Sequence, residues 1–310
     1  MNILSIKGGG ARGIISIRLL VEVEKRTGVS IAKLFDYVGG SSIGTLTACG
    51  LLVTDDGENP LYSAQQVYDI FLKQRVEAFS WSYSSWVSSL FGLLGPTYTH
   101  DGLKDIVRST FQERTMTNLL KPIIFPAYDK KTGKAYYFDK KKNANVKISD
   151  VILSCTSAPT YFPSYNLKIE DKEHFMIDGG VVVNNTAELV YLKATENMKY
   201  VDKTSILELT IGTGNFTYRC VKDGLLSWAP IIVDLFMNGS SDNELYELSL
   251  SLPEGNYYMM DVLLDFKYDY MDKTDDKTIG YYIEATEKWI LDNDKEIDDF
   301  CHKLLKNKGL

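Results

Sequence analysis

Three short runs in the chain carry residue types suited to acyl chemistry. Gly40-Ser41-Ser42-Ile43-Gly44 fits G-x-S-x-G, a pattern in which a sharp strand-to-helix turn lifts a serine hydroxyl clear of the backbone and small neighbours relieve the crowding. Ser42 is therefore the candidate nucleophile, with Gly40 and Gly44 forming its elbow. Gly8-Gly9-Gly10-Ala11-Arg12-Gly13 also joins an apolar strand pattern to a helical one, and consecutive backbone N–H groups at such a turn can hold an oxyanion. Asp178-Gly179-Gly180 follows the apolar Phe175-Met176-Ile177, so its carboxylate emerges where a buried strand ends and two glycines leave room beside it.

A serine with an aspartate and no histidine is chemically workable. The carboxylate accepts the hydroxyl proton as attack proceeds and returns it to the leaving alcohol. Aspartate is a weak base at neutral pH, so oxyanion donors and substrate positioning must supply much of the acceleration; one such donor is typically worth about 2.7–4 kcal/mol. Arg12 is informative here, because a cation in the first turn of a helix opposes the dipole by a few tenths of a kcal/mol. That placement points to a charge or hydrogen-bonding role.

Two rival constellations are present in the chain. The chain has three histidines, His100, His174 and His302, and the order Ser42, Asp178, His302 mimics an α/β-hydrolase triad. Helical spacing turns His302 about 100° or more from the apolar face of Ile297, Phe300, Cys301 and Leu304, which makes it a solvated residue. His174 lies too far back along the strand of Asp178, and His100 beside a helix start. The glycine run also satisfies the G-x-G-x-x-G of a dinucleotide cradle, but that unit requires an acid at the end of the second strand, and the second strand here ends in Gly39-Gly40-Ser41-Ser42.

The elements that must position these residues alternate. Strand patterns are expected at Asn2 to Ile6, Phe35 to Val38, Phe175 to Ile177 and Ile206 to Ile211. Helices are expected over Ile14 to Arg26, Ile43 to Val53 and Asn185 to Asn197, with a last one from Tyr281 to Lys306. Ser63, Asp101 and Ser149 are expected to cap three further helices. A hairpin with its turn at Thr132-Gly133 is expected between Pro122 to Tyr128 and Ala135 to Asp139. This alternation predicts an α/β fold with a largely parallel sheet between helical layers, in which carboxyl ends of strands form the ligand crevice. Trp81 to Tyr98 is rich in aromatic and aliphatic residues among serines and glycines, a composition suited either to a lid or interfacial surface or to a capping loop with its aromatics in the core.

Together the three runs resemble the patatin-like phospholipases, whose pattern is a G-G-G-x-R/K-G oxyanion loop, a G-x-S-x-G elbow and a D-G-G or D-G-A aspartate in that order. Gly95-Pro96-Thr97-Tyr98, Pro126-Ala127-Tyr128 before Thr132-Gly133-Lys134, Ser157 to Pro163 and Ile211 to Gly214 are similar too, so the likeness spans roughly residues 1 to 215. The resemblance implies a three-layer α/β/α patatin-like fold and acyl hydrolysis of lipid esters of phospholipase A, lysophospholipase or carboxylesterase type, without metal or cofactor. It implies Ser42 as nucleophile, Asp178 as proton acceptor, and the amides of Gly8, Gly9 and Gly10, helped by Arg12, as the oxyanion hole. Some bacterial relatives in this family are anti-phage effectors switched on by cyclic nucleotides, so a ligand-regulated effector with a small-molecule activator is the alternative. Many members open the glycine loop with aspartate; this chain has Lys7.

Composition bounds the remainder. The 310 residues are 45% hydrophobic, enough for a substantial core, and the net charge of −7 disfavours a nucleic-acid polymer as main partner. A single domain over residues 1–310 is expected. The opening residues lack the pattern of a secretory leader, and no apolar run approaches the ~20 residues of a spanning helix; the expectation is a cytoplasmic protein that touches membranes transiently. The four cysteines are scattered without a C-x-x-C pair, which reads as buried thiols rather than a zinc site or disulfide framework. Lys130, Lys131, Lys134, Lys140, Lys141, Lys142 and Lys147 cluster around one hairpin, either a solvated face or a headgroup contact worth ~1 kcal/mol per residue on an anionic membrane.

Overall fold

The computed structural model describes residues 1–78, 96–216 and 232–310. The strands are β1 (Asn2–Ile6), β2 (Tyr37–Gly40), β3 (Ile123–Asp129), β4 (Lys134–Asp139), β5 (Tyr165–Ile169), β6 (Lys172–Asp178), β7 (Leu207–Ile211), β8 (Asn215–Phe216), β9 (Tyr257–Met260) and β10 (Leu263–Leu264). The helices among the described residues are α1 (Gly13–Thr27), α2 (Ile31–Leu34), α3 (Ile43–Leu52), α4 (Ala64–Ala78), α5 (Asp101–Phe111), α6 (Ile148–Cys155), α7 (Ala187–Thr195), α8 (Ile232–Ser251), α9 (Asp276–Asp292) and α10 (Asp294–Lys308).

Eight strands form one sheet in the order β5-β6-β3-β2-β1-β7-β9, with β4 on the other edge of β3. The run β3-β2-β1-β7-β9 is parallel, while β4, β5 and β6 pair antiparallel. Side-chain alternation splits β1 between two layers. Leu4 and Ile6 join the larger core with α1, α3 to α6, α9 and α10, whereas Ile3 faces the smaller cluster built on α7 and α8. Helices thus cover both faces of a mixed, mostly parallel sheet, as the sequence pattern predicts.

One feature of this sheet brings the ends of β2 and β6 together. β2 and β6 share one edge of β3. Gly39 of β2 pairs beside Ile124, and Asp178 of β6 pairs beside Ala127. The two strands therefore run toward each other, leaving a gap three residues long on β3, about 10 Å. The carboxyl-end expectation for Asp178 holds, but its strand is antiparallel and meets the elbow head-on instead of standing beside it in parallel. At the far end of β6, the carboxylate of Asp129 accepts from Lys131 N, Phe175 N, Thr132 Oγ1 and His174 Nδ1 at 2.9–3.0 Å and locks the hairpin to β6.

Several boundaries move. The second strand begins at Tyr37. Asp101 and Ser149 lie inside their helices, whose N-caps are His100 and Lys147, whereas Ser63 does cap α4 through a hydrogen bond from Gln66 N. The expected last helix is two, broken at Asn293. Trp81 to Gly95 lie outside the described residues; Tyr98 is buried and donates to Asp272 Oδ2 at 2.8 Å.

Candidate active site

Ser42 sits between β2 and α3 with φ 52 and ψ −123, a left-handed value that a side-chain-bearing residue tolerates only under constraint. Its neighbours supply that constraint. A Cβ on Gly40 would lie 2.5 Å from the Gly44 carbonyl oxygen, and one on Gly44 would lie 2.2 Å from that of Ile6, so neither position accepts a larger residue without movement of the turn. Ser41 N donates to Ile6 O at 3.1 Å, and Thr45 Oγ1 donates to Gly40 O at 2.9 Å, closing the turn from both sides.

The Ser42 hydroxyl donates to Asp178 Oδ2 at 2.5 Å, across 136 residues of sequence. Asp178 is held from behind: Oδ1 accepts from Gly180 N at 2.7 Å, and its own N–H donates to the Ser157 carbonyl at 3.0 Å. Burial pushes the carboxyl up to about 6; the Ser42 hydroxyl and Gly180 amide oppose that rise because they favour the charged form. None of the three histidines bonds to either residue. His100 Nε2 meets Ser157 Oγ at 2.8 Å, His174 serves Asp129, and His302 is exposed and bonded to its own helix.

The glycine loop crosses above the end of β1. Gly8 N donates to the Asn184 carbonyl at 3.2 Å and Ala11 N to the Met271 carbonyl at 2.7 Å, whereas the N–H groups of Gly9 and Gly10 have no acceptor among the described residues. Gly10 adopts φ +58, and Gly10, Ser42 and Asp178 line one groove. Arg12 is buried, with Nη1 on Asp269 at 2.8 Å and its guanidinium 4.9 Å from the centre of the Phe216 ring; its Nε has no partner among the described residues. Lys7, where many patatin-like chains carry aspartate, forms a buried ion pair with Asp261 at 3.4 Å. That acid also accepts from Gly214 N and Val262 N, so it ties the loop to two other segments.

From Ser42 the groove opens between α3, α4 and α5, with a volume of about 1120 Å³ counting its mouth. Its walls are mainly apolar, including Ile43, Leu46, Val67, Phe71, Leu103, Val107 and Phe111. Sequence reasoning missed three contributors: the carbonyls of Ser157, Asn184 and Met271. Backbone acceptors carry no side-chain signature, so no motif marks them.

Residues 4–191 match the family model "Patatin-like phospholipase". The chain belongs to the patatin-like phospholipase family. Patatin-like protein 2 of Arabidopsis thaliana is 30% identical over 290 residues, covering 80% of this chain and 71% of that protein. A cGAMP-activated phospholipase of Escherichia coli (strain TW11681) is 29% identical over 230 residues, covering 69% of this chain and 62% of that protein. Among solved structures, human GIVD cytosolic phospholipase A2 with a fluorophosphonate inhibitor aligns at TM-score 0.47 and 12% identity, over 99% of this chain and 60% of that one. VipD from Legionella pneumophila aligns at TM-score 0.43 and 12% identity, over 93% of this chain and 66% of that one. The chain thus spans less than two thirds of those solved chains.

Around the hairpin, the lysine cluster of this patatin-like chain is partly paired. Lys131 meets Glu173 at 3.7 Å and Lys147 meets Glu113 at 2.6 Å, while the half-buried Lys140 ammonium bonds to the Leu119 carbonyl. Cys49, Cys155 and Cys301 are buried thiols. Among the described residues no helix is long and apolar enough to cross a membrane.

Proposed function

We infer that the chain is a metal-independent lipid acyl hydrolase of phospholipase A, lysophospholipase or carboxylesterase type, working through Ser42 and Asp178. The observation that carries this reading is the 2.5 Å hydrogen bond from Ser42 to Asp178 at the head of an apolar groove. In this mechanism Ser42 Oγ attacks the ester carbonyl carbon while its proton passes to Asp178 Oδ2. The developing oxyanion is held by the uncommitted amides of Gly9 and Gly10, in the neighbourhood of the Arg12 charge. Asp178 then protonates the leaving alcohol, and a water activated by the same carboxylate releases the acid from the acyl-serine. Gly8, whose N–H already serves Asn184, shapes the loop. The substrate is an acyl-ester lipid presented at a membrane surface, which the protein meets peripherally.

Turnover of a chromogenic acyl ester by wild type and by Ser42→Ala tests the assignment. Wild type is expected to turn over and the variant to fall by at least about a thousandfold; equal rates end it. The relative named for activation by cGAMP supports a second reading, in which a small ligand switches this chain on. Stimulation of wild-type hydrolysis by added cyclic dinucleotides is its measurement, and unchanged rates across a panel of them discard it.

A further inference from the structure

We propose that Gly50 and Val67 form the floor of the groove and set how long an acyl chain the protein accepts, a proposal that rests on the acyl-hydrolase reading of Ser42. Ile43, Leu46 and Gly50 recur at spacings of three and four along α3 and line the groove that also contains Ser42. A single helix face therefore runs from the nucleophile into the core. Eight residues separate Ser42 from Gly50, about 12 Å of helix.

Helix α4 supplies the opposite wall with the same periodicity, through Val67, Phe71, Gln74 and Ala78. Its orientation follows from two contacts. A Cβ on Gly50 would lie 3.3 Å from both methyl groups of Val67, so the start of α4 packs at the deep end. Near its other end, Arg75 donates to the Thr274 carbonyl, in the segment whose Met271 covers the glycine loop at the mouth. Phe111, at the close of α5, lines the same groove.

A glycine inside a helix is destabilising relative to alanine, and Gly50 has an ordinary helical backbone, so no turn geometry demands it. What its missing side chain permits is close approach: both Val67 methyls pack 3.3 Å from where a Cβ would stand, so α3 and α4 shut the groove there, and any side chain at position 50 must displace Val67. A methylene buried in such a wall is worth roughly a fourfold gain in binding, and the gain stops where the chain meets the floor.

The test is kcat/KM of the full-length protein on nitrophenyl esters of rising saturated chain length, paired with calorimetric binding of the matching free fatty acids to Ser42→Ala. Wild type is expected to gain roughly fourfold per methylene up to a plateau. Gly50→Val should move that plateau to shorter chains, lowering the ratio of long-chain to butyryl turnover at least tenfold. Val67→Ala should move it to longer chains. Opposite shifts from two variants are not a consequence of misfolding. If both keep the wild-type length profile, or if Gly50→Val only lowers melting temperature, Gly50 serves helix packing and the proposal is wrong. If no ester is turned over, the Ser42 reading falls while the binding profile still decides the floor.

Discussion

As the base of the proposed mechanism, Asp178 has two opposing requirements, and its surroundings compromise between them. Full burial favours the neutral acid, while a base must be charged to accept the Ser42 proton; a carboxyl at about 6 stays mostly ionised at neutral pH while remaining a better proton acceptor than a free aspartate. Below that value Asp178 is protonated and cannot act, so kcat/KM should rise with pH along an acid limb centred near 6. A limb near 4 would show that the carboxyl is solvated in the working enzyme. The same elevation makes ionised Asp178 a liability for folding, of about 3 kcal/mol at neutral pH relative to an exposed aspartate. Asp178→Asn is accordingly expected to abolish hydrolysis yet melt higher than wild type above pH 6, by calorimetry; a lower melting temperature would contradict it. These groups were legible in sequence because each lies in a short run with its own glycines. The anchoring carbonyls of Ser157, Asn184 and Met271 were not, since every residue type offers a carbonyl.

At the level of elements, strand and helix identities followed from hydrophobic period, and the errors have local causes. Asp101 and Ser149 are polar residues near helix starts, but Asp101 is already the first helical residue and Ser149 the second, so neither stands at the cap. Ile290, Ile297, Phe300, Cys301 and Leu304 are all buried, so one apolar stripe continues across the break at Asn293 and hides it. β5 escaped notice because only Leu167 of its five residues is buried. β7 carries a less expected feature, Glu208, which alternation turns toward α7. It is fully buried, and both carboxylate oxygens lack a partner among the described residues. Burial, reinforced by Glu188, holds it well above the ordinary glutamate range. A raised carboxyl pKa contributes stability at low pH that is lost as pH climbs past the unfolded value. Glu208→Gln should therefore melt progressively higher than wild type between pH 5 and 8, by at least about 2–4 °C at the upper end. A constant offset across that range would show that Glu208 is not titrating in the fold.

Across the molecule, the C-terminal third looked uninformative in sequence, yet it supplies much of what surrounds the glycine loop. Asp261 pairs with Lys7, Asp269 with Arg12, and Met271 caps Ala11. Farther out, Arg18 bridges to Glu287, Arg26 to Asp294 and Asp298, and Asn2 donates to the Leu304 carbonyl. No motif could mark these ties, because each is made by an ordinary charge or amide whose partner lies hundreds of residues away. We propose on these grounds that residues 1–310 act as one cooperative unit. Scanning calorimetry should give a single transition with calorimetric and van't Hoff enthalpies in agreement; two resolved transitions would assign the C-terminal third to a separate domain.

The head-on meeting of β2 and β6 along β3 makes the Ser42–Asp178 hydrogen bond depend on a count. Asp178 shares its sheet face with Met176 of the larger core, and neighbouring residues on a strand point to opposite faces. Were β6 to slip by a single residue, the carboxylate would turn to the far side of the sheet, away from Ser42, and Met176 would leave the larger core with it. Asp129 opposes such a slip, because its carboxylate bonds to Phe175 N and to the hairpin turn at once.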